Sequence, residues 1–144
     1  MDDTPRRLMW HGMFLFLLGL LTGFLEPHFV NIRMGLAAHL EGVMNGIFLL
    51  ALGCAWPRVR LAPVPHAIAF WTVLYSAYVN WLSTTLAALW GTTALSPLTG
   101  MAHPAKPWQE RLVTVGLLSV GVALLLGAVL VLWGLRRRDA TGPA

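Results

Sequence analysis

The chain has 144 residues, of which 57% are hydrophobic and only 11% are charged. Charged residues make up about 25% of ordinary soluble proteins, so this composition indicates an integral membrane protein. The formal net charge is +4, but the basic residues lie at the ends of apolar runs, where they set membrane topology, and nucleic-acid binding is therefore excluded. The single cysteine, Cys54, excludes an internal disulfide and a cysteine-ligated metal cluster.

Four apolar runs account for nearly all of the chain, at about residues 8–25, 36–56, 66–90 and 110–135. Each run is close to the ~20 residues that a helix needs to cross a bilayer. No soluble segment of domain size is left over. We therefore predict one all-α domain over residues 1–144, an integral membrane four-helix bundle.

The orientation of this bundle follows from the basic residues at the span ends, because cytoplasmic ends of membrane helices carry more Lys and Arg. The end predicted to be cytoplasmic carries Arg6, Arg7, Arg58, Arg60, Arg136, Arg137 and Arg138, and the other end carries Arg33, Lys106 and Arg111. Both termini are thus expected to be cytoplasmic, in a membrane of the bacterial inner-membrane type.

The second span is unusual because it carries His39, Glu41 and Asn45 within an apolar stretch. Polar groups inside a bilayer are expensive and tend to be functional. On a helix that turns about 100° per residue, Glu41 and Asn45 share one face, whereas His39 points nearly the opposite way, above Gly42 and Gly46. We predict that this helix contacts two neighbours. One face presents an imidazole to something large, and the other presents a carboxyl and an amide to an adjacent helix.

The third span is the most polar, and its residues Ser76, Asn80 and Thr84 recur every four positions along one stripe. Such a stripe faces protein or a cavity rather than lipid. The alternative is that these groups only form hydrogen bonds between helices. Because this span runs opposite to the second, Asn80 and Thr84 fall in the same outer half as His39 and Asn45, which predicts a shared site.

The remaining segments offer weaker candidates. In the first span, His11 lies beside Trp10, as an interfacial histidine or a minor site residue. The connection at residues 91–109 is the longest, and its length suggests either a lid or a disordered link, with His103 in solvent. The fourth span has almost no polar side chain and is predicted to face lipid.

The usual enzyme motifs are absent: there is no nucleophile paired with a base, no phosphate loop and no repeated metal-ligand spacing. His39 remains as a single strong ligand. One histidine is enough when iron arrives in a porphyrin that supplies four nitrogens. A bundle this small has little interior room, so a large cofactor would have to lie between subunits.

Three segments carry a resemblance to a known family. They are the block HLEGVMNG that starts at His39, the opening RLMWHG that starts at Arg7, and the third-span segment around Tyr78 and Asn80. Together they resemble the small membrane isomerases that include hydroxylaminobenzene mutase, and the stretch MGLAAHLEGVMNG is especially similar to the mutase branch. The resemblance covers nearly the whole chain. A more distant relative is styrene oxide isomerase, a four-helix trimer with haem b between protomers.

The resemblance implies a homotrimer that binds ferric haem b. By this resemblance, His39 would match the axial haem ligand, Asn45 the substrate-side amide, and Asn80 a third-span asparagine. Ser76 and Thr84 stand where the epoxide isomerase carries an Asp and a Tyr, which argues against epoxide rearrangement and favours the mutase.

The activity implied is isomerisation of an aryl hydroxylamine, such as hydroxylaminobenzene, to 2-aminophenol, assisted by ferric haem as a Lewis acid. Asn45 and Asn80 would orient the substrate, Tyr78 would hold its ring, and Glu41 would shuttle a proton. Ser76 and Thr84, on the same stripe as Asn80, are further catalytic candidates. The alternatives are a haem-dependent epoxide isomerase, a small membrane cytochrome with His28 as the next candidate for an axial ligand, and a structural membrane protein without a cofactor.

Overall fold

The computed structural model describes residues 3–95 and 105–136. Four α-helices and two short 3₁₀ turns, Glu26–His28 and Trp56–Arg58, make up nearly all of this part of the chain, which confirms the all-α class. The helices are α1 (Thr4–Leu25), α2 (Ile32–Ala55), α3 (Pro63–Trp90) and α4 (Pro107–Arg136). Residues 96–104 of the predicted lid, with His103, and the predicted cytoplasmic residues Arg137 and Arg138 lie outside the described residues.

Three of these helices are long and apolar enough to cross a membrane: α1, α2 and α4, each with the adjoining turn where one follows. Helix α3 is not among the three, although its 28 residues are long enough, because Ser76, Asn80 and Thr84 interrupt its apolar sequence. All four helices begin three or four residues before the predicted spans. This difference arises because hydropathy marks only the apolar part of a helix, whereas backbone hydrogen bonding continues into the polar flanks.

Local sequence explains where the helices begin and end. Asn31 caps the start of helix α2, and its side-chain oxygen accepts a hydrogen bond of 3.1 Å from the backbone N–H of Met34. Helix α3 starts at Pro63 rather than at the predicted His66, because proline is tolerated in a first turn, where the missing N–H has no helical partner. It ends at Gly91, whose φ of 69° is a left-handed conformation that glycine adopts without strain.

Helices α1 and α2 pack with their backbones nearly in contact, at glycines on both sides. A Cβ atom at Gly12 would lie 2.7 Å from the backbone nitrogen of Leu50, and one at Gly19 would lie 2.5 Å from that of Val43. Small residues allow this close approach between membrane helices. The space beside Gly42 and Gly46, predicted to hold something large, is therefore filled by α1.

The main core joins α1, α2 and α3, where Leu8, Leu15, Leu49 and Val73 are fully buried. Helix α4 packs mainly against α3, and its buried residues follow a seven-residue spacing: Val113, Val120, Gly127 and Gly134. The last of these, Gly134, lies against Val59 and Leu61, just before α3. The rest of α4 is largely uncovered and apolar. It thus faces the surroundings of the bundle, as the sequence indicated.

Backbone contacts show which segments share an end of the bundle. The N–H of Arg60 donates to the carbonyl of Gly134 at 3.1 Å, and the N–H of Asn31 donates to the carbonyl of Ala88 at 3.0 Å at the opposite end. The first end holds Arg6, Arg7, Arg58, Arg60 and Arg136, and the second holds Arg33, Lys106 and Arg111. The predicted asymmetry of basic residues is therefore present in the fold.

Candidate functional site

Glu41, Asn45 and Asn80 form one polar cluster between α2 and α3. The Nδ2 atom of Asn45 donates to Oε2 of Glu41 at 3.0 Å, and Nδ2 of Asn80 donates to the same oxygen from α3. Each of the three residues is partly buried. The four-residue spacing on α2 and the antiparallel course of α3 thus bring these predicted site residues together.

The cluster lies away from the ends of the bundle, with Glu41 about 14 Å along α2 from its first residue at a rise of 1.5 Å per residue. Among the described residues, the side-chain carbonyl oxygens of Asn45 and Asn80 accept no hydrogen bond from protein. Two amides and a carboxyl at this depth can recognise a small molecule that has N–H or O–H groups to donate.

Ser76 and Thr84 lie on the same stripe of α3 as Asn80, but their hydroxyls are bonded within the helix. Ser76 Oγ donates to the carbonyl of Thr72 at 2.6 Å, and Thr84 Oγ1 donates to that of Asn80 at 2.9 Å. Both residues are buried. The structure does not join these hydroxyls to Glu41 or Asn45, and their role in catalysis stays a prediction.

Tyr78 lies on another side of α3 and contacts α1. Its hydroxyl is 3.0 Å from Nδ1 of His11, and the two rings meet edge to face with centroids 5.7 Å apart. The structure thus separates Tyr78 from the asparagine cluster. Sequence reasoning did not find this pair, because the two residues are 67 positions apart and only the packing of α1 on α3 brings them together.

His39 lies on the side of α2 that faces α1. Its Nδ1 atom is 2.8 Å from the carbonyl oxygen of Gly19, which can only accept, so Nδ1–H donates and Nε2 is the nitrogen that could bind a metal. A Cβ atom at Gly23 would lie 2.7 Å from the same Nδ1. The ring lines a groove of about 350 Å³ together with Leu20, Gly23, Phe24, Glu26 and Leu36.

This arrangement fits a histidine that would hold haem iron. Metal-binding histidines donate their second ring N–H to a carbonyl or carboxylate, which sets the tautomer and the ring orientation, and the carbonyl of Gly19 does this for His39. Leu20, Phe24 and Leu36 give the groove apolar walls that suit a porphyrin. Within residues 3–95 and 105–136, no group of three or more His, Cys, Asp or Glu side chains could hold a bare metal ion.

Polar groups among helices that are apolar enough to cross a membrane are typical of integral membrane proteins in which those groups are functional. The comparison with protein families makes this specific. The model of the styrene oxide isomerase family matches residues 4–136, and the chain belongs to that family. The family predicted from the sequence is therefore confirmed.

Two relatives from Ectopseudomonas oleovorans align with nearly the whole chain. Hydroxylaminobenzene mutase HabB is 46% identical over 149 aligned residues, which cover 99% of this chain and 91% of the relative. Hydroxylaminobenzene mutase HabA is 42% identical over 127 residues, which cover 88% of this chain and 94% of the relative. No solved structure gave a significant match.

Proposed function

We propose that the protein is an isomerase that converts an aryl hydroxylamine such as hydroxylaminobenzene to 2-aminophenol. The names and the 46% and 42% identities of the two relatives support this substrate class. The observation in the structure that carries the proposal is the meeting of Asn45 and Asn80 on Glu41, between α2 and α3. These groups match the N–H and O–H of a hydroxylamine.

The reaction moves atoms within one molecule. The N–O bond breaks, the oxygen forms a bond to ring carbon 2, that carbon loses its proton, and the nitrogen gains one, so substrate and product have the same formula. The carbonyl oxygens of Asn45 and Asn80 hold the hydroxylamine group by accepting hydrogen bonds from its N–H and O–H. Glu41 carries the proton from carbon to nitrogen. The surrounding apolar helices exclude water, which strengthens these polar contacts.

Haem b bound on Nε2 of His39 is part of this proposal. His39 would hold the haem, and the ferric iron would supply Lewis acidity. The support is the orientation of the imidazole by Gly19 and the apolar groove beside it. An absorbance spectrum of the purified protein tests the haem proposal by itself. A protein that turns over hydroxylaminobenzene without a Soret band would support the mutase proposal and reject the haem.

The site extends across a boundary between protomers in this proposal. His39 contacts α1, whereas Glu41 and Asn45 face α3, so the cofactor ligand and the substrate groups of one chain lie on different sides of α2. We therefore propose that one protomer supplies the cofactor and its neighbour supplies the substrate groups. The apolar groove of about 390 Å³ along α1, next to the His39 groove, suits such an interface. We propose a homotrimer, in keeping with the family resemblance.

All four helices cross the membrane in this proposal. Helix α3 has 28 residues and packs against both α2 and α4, so it follows the same path as its neighbours. The end richer in arginine faces the cytoplasm, in a membrane of the bacterial inner-membrane type, so both termini are cytoplasmic. An apolar aryl hydroxylamine then reaches the site from the lipid.

A second candidate is a haem-dependent epoxide isomerase, which the description of the matching family model favours. A membrane cytochrome would need a second axial ligand, and His28, the nearest in sequence, is exposed in the turn after α1.

The deciding experiment offers hydroxylaminobenzene and styrene oxide separately to the purified protein in mild detergent. We expect 2-aminophenol from the first, with no label in the product when the solvent is oxygen-18 water, since the hydroxyl is transferred within the molecule. Heat-treated protein corrects for spontaneous rearrangement. Turnover of styrene oxide without turnover of hydroxylaminobenzene would replace the proposal with the second candidate.

A further inference from the structure

The two oxygens of the Glu41 carboxyl have different surroundings. Oε2 accepts hydrogen bonds from the amides of both Asn45, at 3.0 Å, and Asn80. In the described part of the chain, Oε1 has no hydrogen-bond partner. One oxygen therefore connects two helices, and the other is left for a ligand.

We propose that these two oxygens divide the work of the site: Oε2 sets the orientation of both asparagine amides, and Oε1 carries the proton during the reaction. This inference rests on the proposed function and assigns Glu41 a positioning role as well as a proton-transfer role. It also makes Asn45 and Asn80 one unit, since each depends on the same oxygen.

The positioning role follows from the chemistry of an amide. Rotation of an asparagine side chain by half a turn exchanges its carbonyl oxygen and its NH₂ group at nearly the same place. A fixed acceptor on one side removes this freedom, because only the NH₂ group can donate to it. Oε2 does so for Asn45 and Asn80 together, which directs both carbonyl oxygens away from Glu41 and makes them available to the N–H and O–H of the substrate.

The protonation state of Glu41 does not alter this positioning. A proton on Oε1 leaves Oε2 as a carbonyl oxygen, which accepts as before. The carboxyl can thus gain and lose a proton on one oxygen while the other keeps both amides in place. This separation allows a single side chain to serve both purposes.

Two substitutions separate the roles. Glu41→Gln retains an oxygen that accepts from both amides and cannot carry the proton, whereas Glu41→Met has similar length and lacks an acceptor. If the Met variant does not insert, Glu41→Ala replaces it. Each variant is also combined with Asn80→Ala. The control is Glu110→Gln, because Glu110 accepts hydrogen bonds from the backbone of Thr93 and Ala94, far along the chain from the cluster.

We expect Glu41→Gln to lower kcat by about 10²-fold with KM unchanged, the usual scale for losing a proton-transfer group. Glu41→Met should lower kcat at least as far and raise KM about tenfold, because both amides lose their orientation. Asn80→Ala should raise KM when it is combined with Glu41→Gln. It should cause no further rise in KM when it is combined with Glu41→Met. The Glu110→Gln control should retain wild-type kcat and KM.

Three outcomes would overturn the inference while wild-type turnover is intact. They are an equal KM in the Gln and Met variants, an equal effect of Asn80→Ala in both backgrounds, and a normal kcat in Glu41→Gln. If Glu41 served only to join the helices, the variants would differ in thermal stability and not in KM. Absence of hydroxylaminobenzene turnover by the wild-type protein would instead reject the proposed function, so the two failures are distinct.

Discussion

The Nδ1 atom of His39 lies 2.8 Å from the carbonyl oxygen of Gly19, so α1 sets the orientation of a side chain that belongs to α2. Residue Gly23, one turn further along α1, leaves the room that the imidazole occupies. The direction of Nε2 thus depends on packing between two helices rather than on the local conformation of α2. Substitutions in α1 should therefore affect any ligand of His39.

His39→Ala tests the ligand itself. We expect the variant to insert and assemble, because alanine is well tolerated in a membrane helix, and to lose both haem and activity. The measurements are the ratio of Soret to protein absorbance and the turnover of hydroxylaminobenzene. His28→Ala is the matched control, since His28 is exposed in the Glu26–His28 turn. Haem retained in the His39 variant and lost in the His28 variant would identify His28 as the haem ligand instead.

Gly23→Ala tests the positioning of that ligand by α1. Its Cβ atom would lie 2.7 Å from Nδ1 of His39, so the ring must move and its bond to Gly19 must lengthen. Loss of such a supporting contact lowers metal affinity about 10- to 100-fold, and we expect haem affinity to fall within this range. Gly121→Ala is the control, because a Cβ atom there has nothing within 4 Å. Equal haem affinity in the two variants would contradict the role of α1.

Mixed oligomers test the shared site. His39→Ala and Asn45→Leu chains are each expected to be inactive, but co-expression should give mixed trimers in which some sites combine an intact His39 with a neighbour's intact Asn45. Random assembly at equal expression should restore about a quarter of wild-type activity. Separately purified trimers, mixed without exchange of subunits, are the control. Activity no higher than this control, or a monodisperse active monomer in detergent, would place the whole site within one chain.

Tyr78→Phe tests whether the hydroxyl of Tyr78 serves the fold or the reaction. The hydroxyl contacts His11, so its removal should cost about 0.6 kcal/mol, an average value for a polar contact between membrane helices, and leave turnover nearly unchanged. Tyr75→Phe is a matched comparison, because the hydroxyl of Tyr75 lies 2.8 Å from Oγ of Ser119 on α4. A large loss of turnover in the Tyr78 variant alone, at unchanged thermal stability, would show that this hydroxyl takes part in the reaction.

The sequence was sufficient to predict the helices and the face shared by Glu41 and Asn45, because both follow from hydropathy and helical periodicity. The partner of that face also followed, since an antiparallel third helix places Asn80 at matching depth. These inferences need only the geometry of single helices and the direction of each span.

Contacts that depend on how the helices cross could not be predicted from the sequence. The glycines below His39 indicated open space, but α1 fills it, because glycines that leave room for a ligand look the same as glycines that admit another backbone. The pairing of Tyr78 with His11 requires knowing which face of α3 meets α1. The hydroxyls of Ser76 and Thr84 can bond to their own helix, an alternative that spacing alone does not reveal.

Asn45→Leu and Asn80→Leu test the assignment of both amides to the substrate. Each amide makes one hydrogen bond to Glu41, and polar contacts in membranes average only about 0.6 kcal/mol, so assembly and thermal stability should change little. Loss of an orienting hydrogen bond in a dry site can lower the rate about 10²-fold, so turnover should fall far more than stability. Turnover of hydroxylaminobenzene and the thermal midpoint should be measured on the same preparations, with Asn31→Leu as a contrast, because Asn31 is fully buried at the start of α2 and should act on stability. If both cluster variants turn over normally, or if both unfold as readily as the Asn31 variant, the groups that bind the substrate lie elsewhere than between α2 and α3.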